Sequence, residues 1–148
     1  MLKLNHHPKL FKVFVLFVFF QFLLFFPFKE IGLINFTSSV PRGFYFFDDG
    51  QITKNDYVAV LNMYNYPLVK KIIAVPGDKY VLSLSGVYIN DVLIGKYNGG
   101  PTVNIDEGIL KKNEYIVLGE NVKSYDSRHF GKLSVNDLLK LKRFCKGK

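Results

Sequence analysis

Residues Val13 to Phe28 read VFVLFVFFQFLLFFPF, an apolar run broken only by Gln21 and Pro27. A helix needs roughly 20 apolar residues to cross the hydrocarbon of a bilayer, with a lower limit of about 17. Taken back to Leu10, past Lys12, whose amine can snorkel to an interface, and forward through Ile31–Ile34, the run reaches that length. A cleavable leader would also begin basic and turn apolar, but it would end in a small-x-small site. KEIGLINF follows the proline and phenylalanine without one. The expectation is a retained anchor over residues 13–34.

Charge gives the anchor a direction. Lys3, Lys9 and Lys12 precede it. The positive-inside bias therefore leaves residues 1–12 in the cytoplasm and everything beyond the span outside. The formal net charge of +8 is concentrated at the ends: residues 1–30 carry +3, residues 140–148 carry +5, and residues 31–139 are neutral. A nucleic-acid-binding domain would carry its excess on the folded part, so nucleic acid is not an expected partner. The basic tail, 140–148, is suited to anionic lipid or to plain solvation. Cys145 is the only cysteine, so no internal disulfide staples the exported part.

Beyond the anchor the chain reads as strands. DYVAVLNMY (Asp56–Tyr64), KIIAVPG (Lys71–Gly77) and NEYIVLGEN (Asn113–Asn121) are rich in β-branched and apolar residues. In KYVLSLSGVYINDVLIG, Ser85-Gly86 and Asn90-Asp91 are turn signals, and Asn and Asp tolerate the left-handed backbone of a two-residue hairpin. YNGGPT (Tyr97–Thr102) reads as a loop. SVNDLLKLKRF (Ser134–Phe144) begins like a capped helix. The expected architecture is mainly β, an extracytoplasmic domain over 35–139 behind one helix.

Acyl transfer needs a hydroxyl or thiol, a base within hydrogen-bond reach and donors for an oxyanion. NFTSSVPRGFY (Asn35–Tyr45) offers Thr37, Ser38 and Ser39. His6 and His7 fall on the cytoplasmic side of the anchor. His129 lies near Asp126, but an Asp three residues away leaves little freedom for a Ser-His-Asp triad, and a surface histidine is the simpler reading. Cys145 sits in the basic tail with no evident base. A lysine can serve as base once burial lowers its pKa from about 10.4. YPLVKKIIAVPGD supplies Lys70 and Lys71, and adjacent strand residues face opposite ways, so one of the two can be buried. As charges on an edge strand they would instead discourage aggregation. In GENVKSYDSRHFG, Asp126 and Arg128 share a side if extended, with Ser124 and Ser127 beside them.

These three segments, in this order behind one apolar run, resemble the type I signal peptidase family (peptidase family S26), whose catalytic fold is an antiparallel β domain related to LexA. The conjugative-transfer branch, the TraF-like peptidases, has an Asn-x-Thr-x-Ser-x-Pro-x-Gly-x-Tyr segment that NFTSSVPRGFY matches at every fixed position. KKIIAVPGD is similar to the family's basic-pair, Pro-Gly-Asp box, and SYDSRHFG to its Ser-x-Asp-Ser-Arg-x-x-Gly box. The likeness covers about Asn35 to Leu133. It departs at NDYVAV, where Asn55 replaces a Gly, and at GEN, where Gly-Asp-Asn is common.

The resemblance implies a membrane-anchored serine endopeptidase of a bacterial inner membrane, with a Ser-Lys dyad and its catalytic domain outside. It implies Ser39 as nucleophile and Lys70 as general base, Thr37 as an oxyanion donor and Ser124 orienting the lysine. Lys71, Asp126 and Arg128 would form a structural ion pair group, with Lys71 pairing Asp126, and Val40 and Val69 would line the substrate pocket. No metal or cofactor is required. Exported precursors would be the substrates, generally those with signal peptides or more narrowly a conjugative pilin precursor, and membrane lipid a further partner. The rival expectation is a non-catalytic β domain that scaffolds a secretion or conjugation complex.

Overall fold

A computed structural model describes residues 8–25, 32–97 and 105–144. The chain separates into two units, 1–31 and 32–148. The first contains helix α1 (Pro8–Phe25), whose described apolar side chains from Phe11 to Phe20 are 48–66% exposed. Among the described residues no helix is long and apolar enough to cross a membrane. Most of the expected cytoplasmic segment, with His6 and His7, lies outside the described residues, as do residues 26–31 of the expected anchor, most of the YNGGPT loop, and Cys145.

The second unit is built from antiparallel strands. β1 (Gly32–Asn35), β2 (Gly43–Phe47), β3 (Tyr57–Val60), β4 (Leu68–Ala74) and β9 (Glu114–Leu118) belong to one sheet with β10 (Leu133–Ser134) and β11 (Leu138–Arg143). The order is β1-β2-β11-β3-β4-β9-β10. A smaller sheet has the order β7-β6-β5-β8, from β5 (Lys79–Ser83), β6 (Gly86–Ile89), β7 (Val92–Lys96) and β8 (Asp106–Ile109).

The central strands of the large sheet, β3, β4 and β9, are buried on both faces, and side-chain alternation divides the sheet's core residues among three clusters. In β3, Val58 and Val60 join Ile72, Tyr115, Val117, Leu133 and Leu138, whereas Ala59 joins Val40, Tyr45, Val69 and Leu141. In β9, Ile116 and Leu118 turn to Tyr80, Leu82, Val87 and Ile89 of the small sheet. That third cluster fastens the two sheets together.

Local signals act as expected at two turns. Asn90 and Asp91 both take positive φ, 50° and 67°, in the hairpin that pairs Ile89 with Val92. Asn55, in place of a Gly, takes φ 73° and leads into β3. Two boundaries fall differently. Gly32–Ile34, expected in the anchor, pair with β2, and residues 140–143, expected in the tail, belong to β11. The expected C-terminal helix is also corrected. Ser134 does cap, accepting from the Asn136 N–H at 3.3 Å, but only a three-residue 3-10 turn (Val135–Asp137) follows. Leu138–Arg143 then fills the gap between β2 and β3, and the backbone bonds available on both sides outweigh helix propensity.

Candidate active site

The hydroxyl-rich loop leaves edge strand β1 at Asn35, which is 4% exposed and organises everything after it. Its side-chain oxygen accepts from the Thr37 backbone N–H at 3.1 Å and from the Thr37 hydroxyl at 2.7 Å. Its amide nitrogen donates to the carbonyls of Thr37, Val40 and Pro41 at 3.1, 3.1 and 3.3 Å. One side chain thus satisfies the backbone of a loop that no ladder could serve. The Tyr45 hydroxyl closes the loop from the other side, donating to the Pro41 carbonyl at 2.6 Å. Burial raises the Tyr45 pKa to about 12, so the phenol keeps that proton.

Ser39 is half-buried in this loop, and its Oγ lies 2.8 Å from Thr37 Oγ1. The Ser39 carbonyl accepts from the Glu120 N–H at 2.5 Å, which docks the loop onto the segment after β9. Gly119 makes that approach possible. A Cβ there would stand 2.1 Å from Ser124 Oγ and 3.0 Å from the Ser39 carbonyl.

Lys70 lies in β4, opposite Val58 and two residues before Ile72, both fully buried. It is itself 3% exposed. Desolvation drives its pKa down to about 8; the nearby Asp126 carboxylate opposes the fall and the Arg128 guanidinium adds to it. Lys71 points to the opposite side, half-buried. Spacing left the choice between the two lysines open; burial selects Lys70 as the one whose amine can lose its proton near neutral pH.

Asp126 and Arg128 form a buried, fully satisfied pair. Asp126 Oδ1 accepts from Arg128 Nε at 2.8 Å and Oδ2 from Arg128 Nη2 at 2.5 Å, while the Gly119 N–H also donates to Oδ2 at 2.8 Å. The remaining guanidinium donors reach the carbonyls of Lys96, Val122 and Asn121. All five donors are used, which is the condition for a buried ion pair to hold its geometry. The expected Lys71–Asp126 pairing is not present: both Asp126 oxygens are taken by Arg128 and the backbone. The pair is Asp126–Arg128, and Asp126 acts electrostatically on Lys70 instead. Asp126 also caps helix α2 (Ser127–Phe130), and Ser127 Oγ accepts from the Val117 N–H at 3.0 Å.

His129 does not build a triad. Its Nδ1 accepts from the Asp126 backbone N–H at 3.4 Å, and its ring stacks on Tyr125 at 4.9 Å. The Asp126 carboxylate is engaged elsewhere.

Thr37, Ser39, Val69, Lys70 and Ser124 all line one groove of about 660 Å³. Leu33 to Phe36 form one part of its lining, and Tyr64, Tyr66 and Tyr125 give it aromatic surface. Val40 is not in that lining; at 2% exposure it packs with Val69 and Tyr45 in the core. Ser124 is 5% exposed, and among the described residues its hydroxyl has no hydrogen-bond partner. Among the described residues no cluster of His, Cys, Asp or Glu is placed to hold a metal ion. What sequence reasoning missed was Asn35, whose signal was its fixed place at the head of the Asn-x-Thr-x-Ser frame.

A family model described as signal peptidase, peptidase S26, matches residues 4–145. Comparison with curated proteins returned no match. Among solved structures, a signal peptidase I from Enterococcus faecalis is similar at 18% identity and a TM-score of 0.43, over 62% of this chain and 96% of that one.

Proposed function

Because the chain belongs to the signal peptidase family, and so to serine peptidases that process exported precursors, we propose that it cleaves leader peptides with a Ser39–Lys70 dyad. The observation that carries this reading is Lys70: a lysine 3% exposed, with its pKa lowered to about 8, lining the same groove as the Ser39 hydroxyl. At pH 7 about one lysine in ten would be neutral, which is enough for a general base.

The substrate enters as an extended segment along β1, the edge strand of the large sheet among the described residues, while Val69 and neighbouring side chains receive its residues. Neutral Lys70 takes the Ser39 proton as Oγ attacks the scissile carbonyl carbon. The oxyanion is held by the Ser39 N–H and the Thr37 hydroxyl, each donor worth roughly 3 kcal/mol in comparable sites. The C–N bond then breaks, the leaving amine takes the proton from Lys70, and Lys70 activates a water to release the acyl group. Ser124 lines the groove beside Lys70, and its unpartnered hydroxyl is the group available to accept from the Lys70 amine and steer it during the reaction.

The anchor belongs to the same proposal: the apolar run from residue 13 up to the start of β1 holds the domain at the outer face of a bacterial inner membrane, with residues 1–12 in the cytoplasm. The narrower reading, a TraF-like peptidase for a pilin precursor, is supported by the complete Asn35-Thr37-Ser39-Pro41-Gly43-Tyr45 frame. Cleavage of a signal-peptide-bearing precursor by the full chain in detergent tests the dyad. Ser39→Ala and Lys70→Ala should each lower the rate by at least about a thousandfold. Wild-type cleavage by both would overturn the dyad, and no cleavage by the wild-type chain itself would favour a scaffold role. Efficient cleavage of a general preprotein with none of a pilin precursor would remove the narrower reading.

A further inference from the structure

The Asn35 amide has a settled orientation. One end faces three carbonyls, so it is the nitrogen; the other faces an N–H and a hydroxyl, so it is the oxygen. The Thr37 hydroxyl has one proton, and a carbonyl oxygen can only accept, so that proton goes to Asn35 at 2.7 Å. The 2.8 Å contact between Thr37 Oγ1 and Ser39 Oγ then has a single direction. Thr37 has no proton left to give, so Ser39 donates. Among the described residues Ser39 Oγ has no other hydrogen-bond partner.

We infer that Asn35 is a positioning residue for the Ser39 reaction: it pulls the hydroxyl chain one way, Ser39 to Thr37 to Asn35, and holds Thr37 where its hydroxyl can meet the oxyanion. This rests on the Ser39 nucleophile proposed above. In the resting groove the Ser39 proton is parked on Thr37 rather than offered to Lys70. During attack the Ser39 proton passes to Lys70, and the Thr37 hydroxyl turns from Asn35 to the new oxyanion. The Asn35 oxygen still holds the Thr37 backbone N–H at 3.1 Å, so Thr37 turns its proton without moving its oxygen. Asn35 is buried and bonds only to the loop, so its effect reaches the substrate through Thr37. Removing it should lower kcat and leave KM nearly unchanged.

Asn35→Ala, Thr37→Ala and the double variant of the full chain in detergent form a cycle, read as kcat on a fluorogenic peptide with an Ala-x-Ala cleavage site. Each single variant is expected to lose about 10- to 100-fold, and the double variant no more than the worse single. Losses that multiply would show that Asn35 acts independently of Thr37 and would overturn the inference, as would wild-type kcat in Asn35→Ala. Asn35→Asp covers the case in which Asn35→Ala does not fold. It keeps an acceptor for the Thr37 hydroxyl and N–H and gives up the donors to the Thr37, Val40 and Pro41 carbonyls, so adding Thr37→Ala should cost as much as it does in the wild type. If that cost disappears in Asn35→Asp, the acceptor role is wrong. Should Ser39→Ala cleave normally, the nucleophile assignment falls, and the inference that rests on it falls with it.

Discussion

Lys70 and Lys132 show how differently two parts of one small β protein treat the same side chain. Lys70 sits in the middle of the large sheet, 3% exposed, with fully buried Val58 opposite it and its pKa pulled down to about 8. Lys132 lies where the two sheets meet. It donates to Tyr80 Oη at 3.0 Å and stands 3.5 Å from both Asp106 and Glu114. Those partners hold its pKa above the usual lysine range, the Tyr80 hydroxyl first, with only partial opposition from desolvation. Tyr80 and Asp106 belong to the small sheet and Glu114 to the large one, so Lys132 bridges them as a permanent cation. The difference lies in what surrounds each amine. Solvent, Tyr80 and carboxylates keep Lys132 charged, while apolar neighbours lower the pKa of Lys70 at a cost in stability.

The comparison is broken most severely by touching the ion pair beside Lys70. Asp126→Asn leaves Arg128 buried without its carboxylate, and losing one partner of such a pair costs about 3–5 kcal/mol. Chemical denaturation should show that loss. Because the Asp126 carboxylate raises the Lys70 pKa, any folded variant should also show its rate profile displaced to lower pH. An unchanged profile in folded Asp126→Asn would mean that Asp126 does not act on Lys70.

Lys70→Met separates the two roles of a buried base. A pKa that falls from 10.5 to about 8 on folding corresponds to a penalty of about 3 kcal/mol. The sign follows from linkage. The unfolded chain binds the proton more tightly, so the penalty is whole below pH 8 and fades as pH rises toward 10.5. At pH 7 Lys70→Met should therefore unfold at higher denaturant than the wild type and cleave nothing. The gap should narrow between pH 8 and 10.5. Wild-type kcat/KM should rise with pH, reach half its maximum near pH 8 and level off about one pH unit higher. Equal stability of the two proteins at pH 7 would show that Lys70 is not desolvated in solution.

The parts of this site that were legible in sequence are the ones held by local geometry. Asp126 and Arg128 are two residues apart and form their pair from that spacing, and Asn90-Asp91 and Asn55 adopt the left-handed backbone their side chains tolerate. Lys70 against Lys71 was not legible from alternation. Alternation says that neighbours face opposite ways, but both faces of this sheet are covered, and which one forms the tighter pocket depends on β3 and on the Asp126 segment. Lys71 was expected on Asp126 because the resemblance implied that pairing; the Arg128 fork and the Gly119 N–H fill that carboxylate instead. The resemblance implied Val40 in the pocket, yet its side chain packs into the core with Tyr45 and Val69. β11 reads as a helix because its three leucines and the Ser134 cap are local signals. Its strand state comes from β2 and β3, which are distant in sequence.

The smallest effect expected sharpens the comparison from the other side. Lys132→Ala removes a cation that is about a third exposed, together with contacts to Asp106, Glu114 and Tyr80. Pairs this accessible contribute about 0–1 kcal/mol, screened by salt. The variant should lose less than about 1 kcal/mol by denaturant titration, and less still in high salt. Its cleavage rate and pH profile should match the wild type, since Lys132 is not part of the groove lining. A shifted pH profile would be the informative surprise. It would mean that the junction between the sheets sets the burial of Lys70, so that the two lysines are coupled through the large sheet rather than separate outcomes of separate surroundings.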